Sequence, residues 1–138
     1  MNNCIFCKIR DREVPSHIIY EDDKVMAFLD AFPISLGHIL IIPKQHFSNI
    51  YDIEERDLVE IIKVARKIAK AYEEIFGINN LQLINNAGKG GQQEVFHFHL
   101  HLIPRYENDG IDLSHPKANI TEEEKINFLN KFKNSGIV

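Results

Sequence analysis

Hydrophobic and polar residues alternate most strictly over residues 94–105. Phenylalanine or leucine occupies every even position from 96 to 102, and histidine occupies positions 97, 99 and 101. Strict alternation predicts a β-strand, on which alternate side chains share one face. We therefore expect the three histidines to form a row that faces a cleft, about 7 Å from one to the next, with the apolar side chains in a core behind them.

Four further strands are predicted from short runs rich in β-branched or aromatic residues and bounded by turn residues. These runs lie at residues 17–20, 24–30, 38–42 and 81–84. Because most of them follow one another along the chain with short turns, an antiparallel sheet is favoured. The predicted fold class is α+β, with an antiparallel five-stranded sheet, one long helix and a short C-terminal helix.

Both predicted helices begin with a capping signal. Asp52 is followed three residues later by an acidic residue, and apolar residues then recur at spacings of three and four. Gly77 is well placed to end this long helix. Thr121 and Glu124 form a second capping box, which predicts a terminal helix as far as about residue 132.

Composition narrows the class of protein. The 138 residues predict a single domain, residues 1–138, and a hydrophobic fraction of 44% is enough for a packed core. A net charge of -4 gives nucleic acid no general attraction, so we expect no nucleic-acid partner. The chain has neither an apolar run of about 20 residues nor a signal-peptide pattern, so we expect no membrane partner and a cytoplasmic location.

The histidine row has two chemical interpretations. Histidines at i and i+2 can chelate a catalytic metal, or one imidazole can be a nucleophile whose neighbours bind the anion that it attacks. The nearby carboxylate, Glu94, falls on the other face of the predicted strand, which favours the nucleophile. Gly88, Gly90 and Gly91 precede the row, and backbone N–H groups in such a loop are a plausible anion site.

The segment from His97 to Ile103 resembles the His-φ-His-φ-His-φ-φ motif of the histidine triad family of nucleotidyl hydrolases and transferases, φ being hydrophobic. Further segments at residues 5–9, 20–22, 27–30, 37–38 and 41–46 are similar to family segments and occur in family order. The resemblance covers about residues 4–105, which leaves residues 106–138 as a C-terminal extension. It also implies a homodimer, with the sheet extended across two chains.

The resemblance implies a role for each matching residue. His99 would be the nucleophile that attacks the α-phosphorus of a purine nucleotide, with His101 and His38 in contact with the phosphate. Asp30 would accept hydrogen bonds from both ribose hydroxyls. The remaining nucleotide-binding positions are Asn86 and Gln93 for the phosphate or bridging region, and Phe6, Ile9, Phe28, Leu29 and Ala31 for the base. The implied substrates are phosphoramidates, acyl-adenylates or dinucleoside polyphosphates.

Two residues depart from the family pattern. Gln92 stands where glycine is usual, which leaves the shape of the phosphate loop open. Glu94 stands where some members carry a serine that helps the leaving group to depart, which leaves the leaving-group preference open.

Cys4 and Cys7 form a Cys-x-x-Cys pair. A redox role would need a βαβ setting and a helix start, neither of which the sequence indicates, whereas two thiolates on one turn are half of a tetrahedral zinc site. In zinc-bearing relatives the other two ligands match His46 and His97. We therefore expect structural Zn(2+) held by four protein ligands.

Two other functions remain open. The protein could be a nucleotide-binding regulator whose turnover is incidental. A turnover rate well above background that is lost on substitution of His99 would favour the enzyme instead. The protein could also be a zinc-dependent hydrolase that uses the triad as metal ligands, which would need an open coordination position.

Overall fold

The structure, a computed structural model, describes residues 3–138. Its elements in chain order are α1 (Ile5–Arg10), β1 (Ile18–Glu21), β2 (Val25–Leu29), β3 (Ile39–Pro43), α2 (Glu55–Phe76), β4 (Leu81–Ile84), β5 (Leu100–Pro104) and α3 (Glu122–Ser135). The strands form one sheet in the order β1-β2-β3-β5-β4, and all neighbouring strands are antiparallel. The predicted α+β fold with a five-stranded antiparallel sheet is confirmed.

Each face of the sheet is covered by a different helix. The apolar stripe of α2 packs on one face against alternate residues of β2, β3 and β5, such as Ala27, Ile41 and Leu102. The other face carries Met26 and Leu40 and is covered by α1. Because β2 and β3 are apolar on both faces, they are buried from end to end, apart from the half-buried last residue of β2.

The helix boundaries differ from the prediction at three places. Asp52 does not cap α2: its carboxylate accepts hydrogen bonds from the N–H groups of Ser48 and Asn49, and the helix starts three residues later. Gly77 ends α2 in the left-handed conformation, as predicted. The capping box of Thr121 and Glu124 is present, but α3 continues to Ser135. The N-terminal segment, which showed no helix signal, forms α1.

The histidine strand is shorter than its alternation predicts. Regular pairing starts only at Leu100, so His97 and His99 lie in an extended segment that precedes β5. The three histidines share the face opposite Phe98 and Leu100. Phe6 of α1 packs on the rings of His97 and His99, whereas His101 is half-buried. No helix within residues 3–138 is long and apolar enough to cross a membrane.

Candidate active site

His99 is the buried centre of the site, with a relative exposure of 7%. Its ring lies between those of Phe6 and His101, at 5.0 Å from each. The backbone carbonyl of His99 accepts a hydrogen bond of 2.9 Å from the side-chain amide of Asn85, just beyond the end of β4. The nucleophile predicted from the sequence is therefore fixed by packing on two sides and by a hydrogen bond to its backbone.

The hydrogen bonding of His99 sets its protonation pattern. Its Nδ1 lies 2.7 Å from the carbonyl oxygen of His97, which can only accept. In the neutral ring the proton must therefore be on Nδ1, and Nε2 keeps its lone pair. Burial lowers the pKa of His99, and the carboxylates of Asp30 and Glu94 offset only part of that effect. The ring is thus held in the neutral form with a nucleophilic nitrogen available.

His101 has its proton on the other ring nitrogen, Nε2. This assignment follows from a chain of hydrogen bonds through His38. The N–H of Ile34 donates to Nδ1 of His38 at 3.0 Å, so the proton of a neutral His38 lies on Nε2. That Nε2 is 2.9 Å from Nδ1 of His101 and donates to it. The proton of His101 is therefore on Nε2, where it can donate to a substrate.

Burial keeps both rings of this pair neutral. It lowers the pKa of His38, with a partial offset from Asp30, and it lowers the pKa of His101 to about 4, reinforced by His99 and His38. His38 is only 2% exposed. The structure therefore places His38 behind His101, so a direct contact between His38 and a phosphate stays a prediction from the resemblance.

Asp30 lies at the end of β2, beside this histidine pair. One of its oxygens accepts from the N–H of Phe32 at 2.9 Å, and the other is 3.5 Å from Nε2 of His38. The side chain is half-buried, so a polar ligand can still reach it. Asp30, His38 and His101 together offer ligand atoms that a metal ion could use, but a metal there would displace the hydrogen bond between the two imidazoles.

An apolar pocket wall is formed from α1 and β2. The rings of Phe6 and Phe28 meet edge to face at 5.5 Å, and Ile9 is buried in the same cluster. Leu29 is half-buried and Ala31 is exposed. The structure thus brings Phe6, Ile9 and Phe28 to the same side of the sheet as His99, whereas Leu29 packs against the cluster on the opposite face, because successive strand residues alternate between faces.

The glycine loop uses most of its own polar groups. The N–H groups of Gly88, Gly91, Gln92 and Gln93 all donate within the loop, so these four are not available to bind an anion. Gln92 has a φ of 67°, in the left-handed region that favours glycine, which explains why glycine is the usual residue there. Asn86 is half-buried at the start of this loop.

Gln93 is buried, with 5% exposure, and its side chain joins three segments of the chain. Its amide donates to the carbonyls of Ser48 at 2.6 Å and Val95 at 3.0 Å. Its oxygen accepts from the N–H of Gly88 at 2.8 Å and from the amide of Asn49 at 3.4 Å. Since both amide hydrogens are engaged, Gln93 holds the loop in this structure, and its contact with a phosphate stays a prediction.

A second cluster lies at the other end of the histidine row. The two cysteine sulfurs and Nδ1 of His46 and His97 all lie within 4.8 Å of one another. Four of the separations are short: Cys4 Sγ to His97 Nδ1 is 3.4 Å, Cys7 Sγ to His46 Nδ1 is 3.3 Å, Cys7 Sγ to His97 Nδ1 is 3.5 Å, and the two Nδ1 atoms are 3.1 Å apart. Bonds of zinc to sulfur and imidazole nitrogen imply tetrahedral edges of about 3.3–3.8 Å, so the residues fit a zinc ion.

The surroundings of the cluster also suit a metal. Nε2 of His97 donates to the carbonyl of Pro43 at 2.8 Å, which leaves Nδ1 without a proton and directed toward the sulfurs. Burial lowers the pKa of His97 to about 4, so its ring stays neutral. Cys4 caps α1 and accepts from the N–H of Cys7. The helix start that the sequence did not reveal is therefore made by a candidate ligand itself.

His99, with a lone pair on Nε2, thus lies beside His101, with a proton on Nε2, and both belong to the triad motif on a five-stranded antiparallel sheet. The chain belongs to the HIT family: the model of the HIT domain matches residues 11–108. It is 40% identical over 131 residues to a HIT-like protein of Borreliella burgdorferi, with 94% of each chain covered.

The chain is also similar to a protein whose name states an activity and to a protein of known crystal structure. It is 40% identical over 129 residues to the adenosine 5'-monophosphoramidase HNT1 of Saccharomyces cerevisiae, covering 93% of this chain and 78% of the yeast protein. The crystal structure of a HIT family protein from Bacillus anthracis has a TM-score of 0.86 and 40% identity, with 97% of each chain covered. The family predicted from the motif is confirmed.

Proposed function

We propose that the protein is a hydrolase that cleaves purine nucleotide conjugates at the α-phosphorus, through a covalent nucleotidyl intermediate on His99. The observation that carries this proposal is the opposite polarity of two adjacent rings. Nε2 of His99 has a lone pair, whereas Nε2 of His101 has a proton. A phosphorus atom between them would meet a nucleophile, and its oxygen would meet a donor.

The proposed reaction has two displacements. Nε2 of His99 attacks the α-phosphorus, and the bond to the leaving group breaks as the leaving group takes its electron pair and then a proton. Water next attacks the nucleotidyl phosphorus, the P–N bond to His99 breaks, and a nucleoside monophosphate leaves. His101 donates to a phosphoryl oxygen in both steps, where negative charge increases.

Substrate recognition in this proposal is divided between two groups of residues. Phe6, Ile9 and Phe28 would pack against the purine, with the exposed Ala31 just beyond the end of β2. Asp30 would accept from the ribose hydroxyls through the oxygen that does not bind the Phe32 N–H. Asn86 would approach the phosphate from the loop. The phosphoramidase activity named for the yeast relative supports this substrate class.

We also propose that Cys4, Cys7, His46 and His97 hold a structural zinc ion. The four ligand atoms lie within 4.8 Å of one another, and a closed set of four protein ligands would leave no coordination position for an activated water. Such an ion would tie the start of α1 to the segment that presents His99. The expected cytoplasmic location suits two reduced thiolates.

A homodimer is the proposed assembly, and α3 supplies a reason for it. Within α3 no residue is buried, although Phe128, Leu129 and Phe132 are apolar and roughly half exposed or more. The first turn of α3 is acidic and its last turn is basic. Two copies packed antiparallel would bury these apolar side chains and place each acidic turn opposite a basic one.

The oligomeric state tests this assembly. We expect Leu129→Glu to give a monomer in light scattering, whereas Asn127→Glu on the other side of α3 should remain a dimer. A wild-type protein that is monomeric at micromolar concentration would exclude the assembly and leave the proposed reaction intact.

The proposed reaction is tested by substitution of the nucleophile. We expect His99→Ala to lose about 10³-fold or more in kcat, as loss of a covalent nucleophile does. Rapid quenching of the wild type with adenosine phosphoramidate should show the mass of a nucleotidyl group on the peptide that contains His99. Near-normal turnover by His99→Ala would exclude the mechanism, and turnover near background in the wild type would favour a nucleotide-binding regulator.

A further inference from the structure

Cys4 and Cys7 lie together on the first turn of α1. Cys4 caps the helix, and its sulfur accepts a hydrogen bond from the N–H of Cys7. The two sulfur atoms lie within 4.8 Å of each other, so rotation of the two side chains can bring them to bonding distance without moving distant segments. One feature of a redox-active Cys-x-x-Cys pair, a helix start, is therefore present in the structure.

The two thiols differ in accessibility. Cys4 is half-buried, whereas Cys7 is only 1% exposed. A cleft of about 340 Å³ opens beside the start of α1, and its lining residues are Asn3, Cys4, Ile5, Glu94, Val95 and Phe96. Within residues 3–138, Cys7 does not line this cleft. A small reagent therefore meets Cys4 before Cys7.

We propose that Cys4 is a site of reversible modification by small disulfides, and that Cys7 completes the reaction as an internal disulfide that excludes zinc. The sulfur of Cys4 attacks one sulfur of the reagent, and the other half of the reagent leaves as a thiolate. The sulfur of Cys7 then attacks that of Cys4, and the second half leaves in the same way. Both cysteine sulfurs are oxidised, and the reagent is reduced to two thiols. Each departing thiolate takes up the proton that a cysteine loses, or stays a thiolate where the cysteine sulfur was bound to zinc.

The internal disulfide and the zinc ion exclude each other. The inference rests on the proposed zinc site, which needs both sulfurs as thiolates. After oxidation His46 and His97 remain, and two imidazoles are only half of a tetrahedral set. The oxidised pair therefore releases the ion, and reduction by a thiol restores the four ligands. In a reducing compartment such a disulfide is short-lived, as is usual for redox-sensing cysteines.

The two cross-links hold different parts of the chain. Zinc would join the start of α1 to His46 and His97, the latter 93 residues beyond Cys4. The disulfide closes one turn within α1 and ties it to no other segment. Phe6 lies on that turn and packs on the rings of His97 and His99 at 5.9 Å and 5.0 Å. Oxidation therefore loosens α1 against the segment that presents His99.

The first experiment treats reduced, zinc-loaded protein with bis(2-hydroxyethyl) disulfide, which is small and neutral. We expect zinc release, followed with a coloured chelator, to accompany the loss of both alkylatable thiols. The intact mass should fall by that of two hydrogen atoms, and dithiothreitol with added zinc should reverse both changes. Hydrogen exchange of the amides of residues 5–10 should become about tenfold faster, whereas exchange in the middle of α2 should not change.

Single substitutions separate the roles of the two cysteines. Each removes one zinc ligand, so the two variants are compared with each other in the absence of zinc. Cys7→Ser should stop at a mixed disulfide on Cys4, which peptide mass mapping detects. Cys4→Ser should react about tenfold more slowly or less, because its remaining thiol is buried. Equal rates of the two variants would contradict the entry through Cys4.

Glu94 tests the route through the cleft and leaves both cysteines in place. It is exposed, and it is the charged residue of the lining. Oxidised glutathione, which is anionic, should therefore react more slowly than the neutral reagent. Glu94→Gln should raise the ratio of the first rate to the second about threefold, the size expected of one exposed charge. Glu107→Gln removes an exposed carboxylate after β5 and should keep the wild-type ratio.

The outcomes separate this inference from the proposed zinc site. If both thiols disappear while the ion stays bound, or the wild type stops at a mixed disulfide, the inference is wrong and zinc binding stands. If the reduced protein binds no zinc, the proposed zinc site fails, and the mass of the treated protein decides whether the pair forms a disulfide. A rate ratio that Glu94→Gln does not change would exclude the cleft as the route.

Discussion

Removing the Gln93 side chain should destabilise the protein more than it changes the chemistry of each folded molecule. Three of the hydrogen bonds made by Gln93 are 3.0 Å or shorter, and they join residues 48, 88 and 95. At about 1 kcal/mol of net stabilisation for each bond, Gln93→Ala should lower the free energy of unfolding by about 3 kcal/mol. For a chain of this length that corresponds to a melting temperature lower by roughly 10 °C.

A second substitution separates the contribution of the N–H groups of the Gln93 side chain from that of its oxygen. Gln93→Glu keeps an oxygen for the Gly88 N–H but places another oxygen against the carbonyls of Ser48 and Val95, so the loss should be at least as large near pH 7. A protonated carboxyl can donate again, so the folded state would raise the pKa of this new group. The difference in free energy of unfolding between Gln93→Glu and the wild type should therefore narrow as the pH falls toward about 4.

The assay is urea unfolding of zinc-saturated protein, followed by far-ultraviolet circular dichroism, with turnover measured on the same samples in the folded range. Gln45→Ala, an exposed glutamine in the loop after β3, is the matched control and should change stability by less than about 0.5 kcal/mol. If Gln93→Ala unfolds like the wild type but has lost turnover, its side chain acts on the substrate and the loop-holding role is wrong.

Three further predictions test other parts of the site. Asp30→Ala should reduce discrimination against 2′-deoxy substrates by about tenfold, measured as the ratio of kcat/KM values, whereas equal use of both sugars by the wild type would remove the ribose role. Cys4→Ser with Cys7→Ser should lower zinc content and melting temperature, while the protein that stays folded keeps turnover. Folded, zinc-free protein that is inactive and regains activity at once with zinc would instead make the metal catalytic. The depressed pKa values of His99 and of His101, the latter about 4 against about 6.5 when unfolded, mean that the folded state binds fewer protons, so stability should fall as the pH drops from about 6.5 to about 4. Over the same range kcat/KM should decline on its acid side below pH 6.5, and a midpoint above 6.5 would contradict the assigned neutral imidazoles.

The elements that the sequence predicted well are those whose signal is local. The alternation around the histidines, the β-branched runs and the glycine after α2 each depend on neighbouring residues, and all of these elements are present. α1 was missed because its cap is a cysteine, and cysteine is not among the usual capping residues. Asp52 was assigned to the wrong turn, because a carboxylate caps a loop turn as readily as a helix.

The site was predictable as a set of residues but not as a network. Motif spacing identified His99 and His101, yet their proton positions depend on two backbone groups, the carbonyl of His97 and the N–H of Ile34. The same holds for Gln93, whose partners are backbone atoms at three separate places. Backbone partners leave no mark in a sequence, so only the folded chain reveals them.

The hydrogen-bond chain through His38 makes His101 responsive to a loop that does not touch it. Residues 31–37 include Phe32 and Leu36, both exposed, and the same loop supplies the Ile34 N–H that fixes the tautomer of His38. If the loop moved and that N–H were withdrawn, the proton of His38 could pass to Nδ1, and that of His101 would follow it. The atom facing the substrate would then change from a donor to an acceptor, and it would repel a phosphoryl oxygen. The conformation of a surface loop would therefore decide whether Nε2 of His101 presents a proton or a lone pair to the substrate.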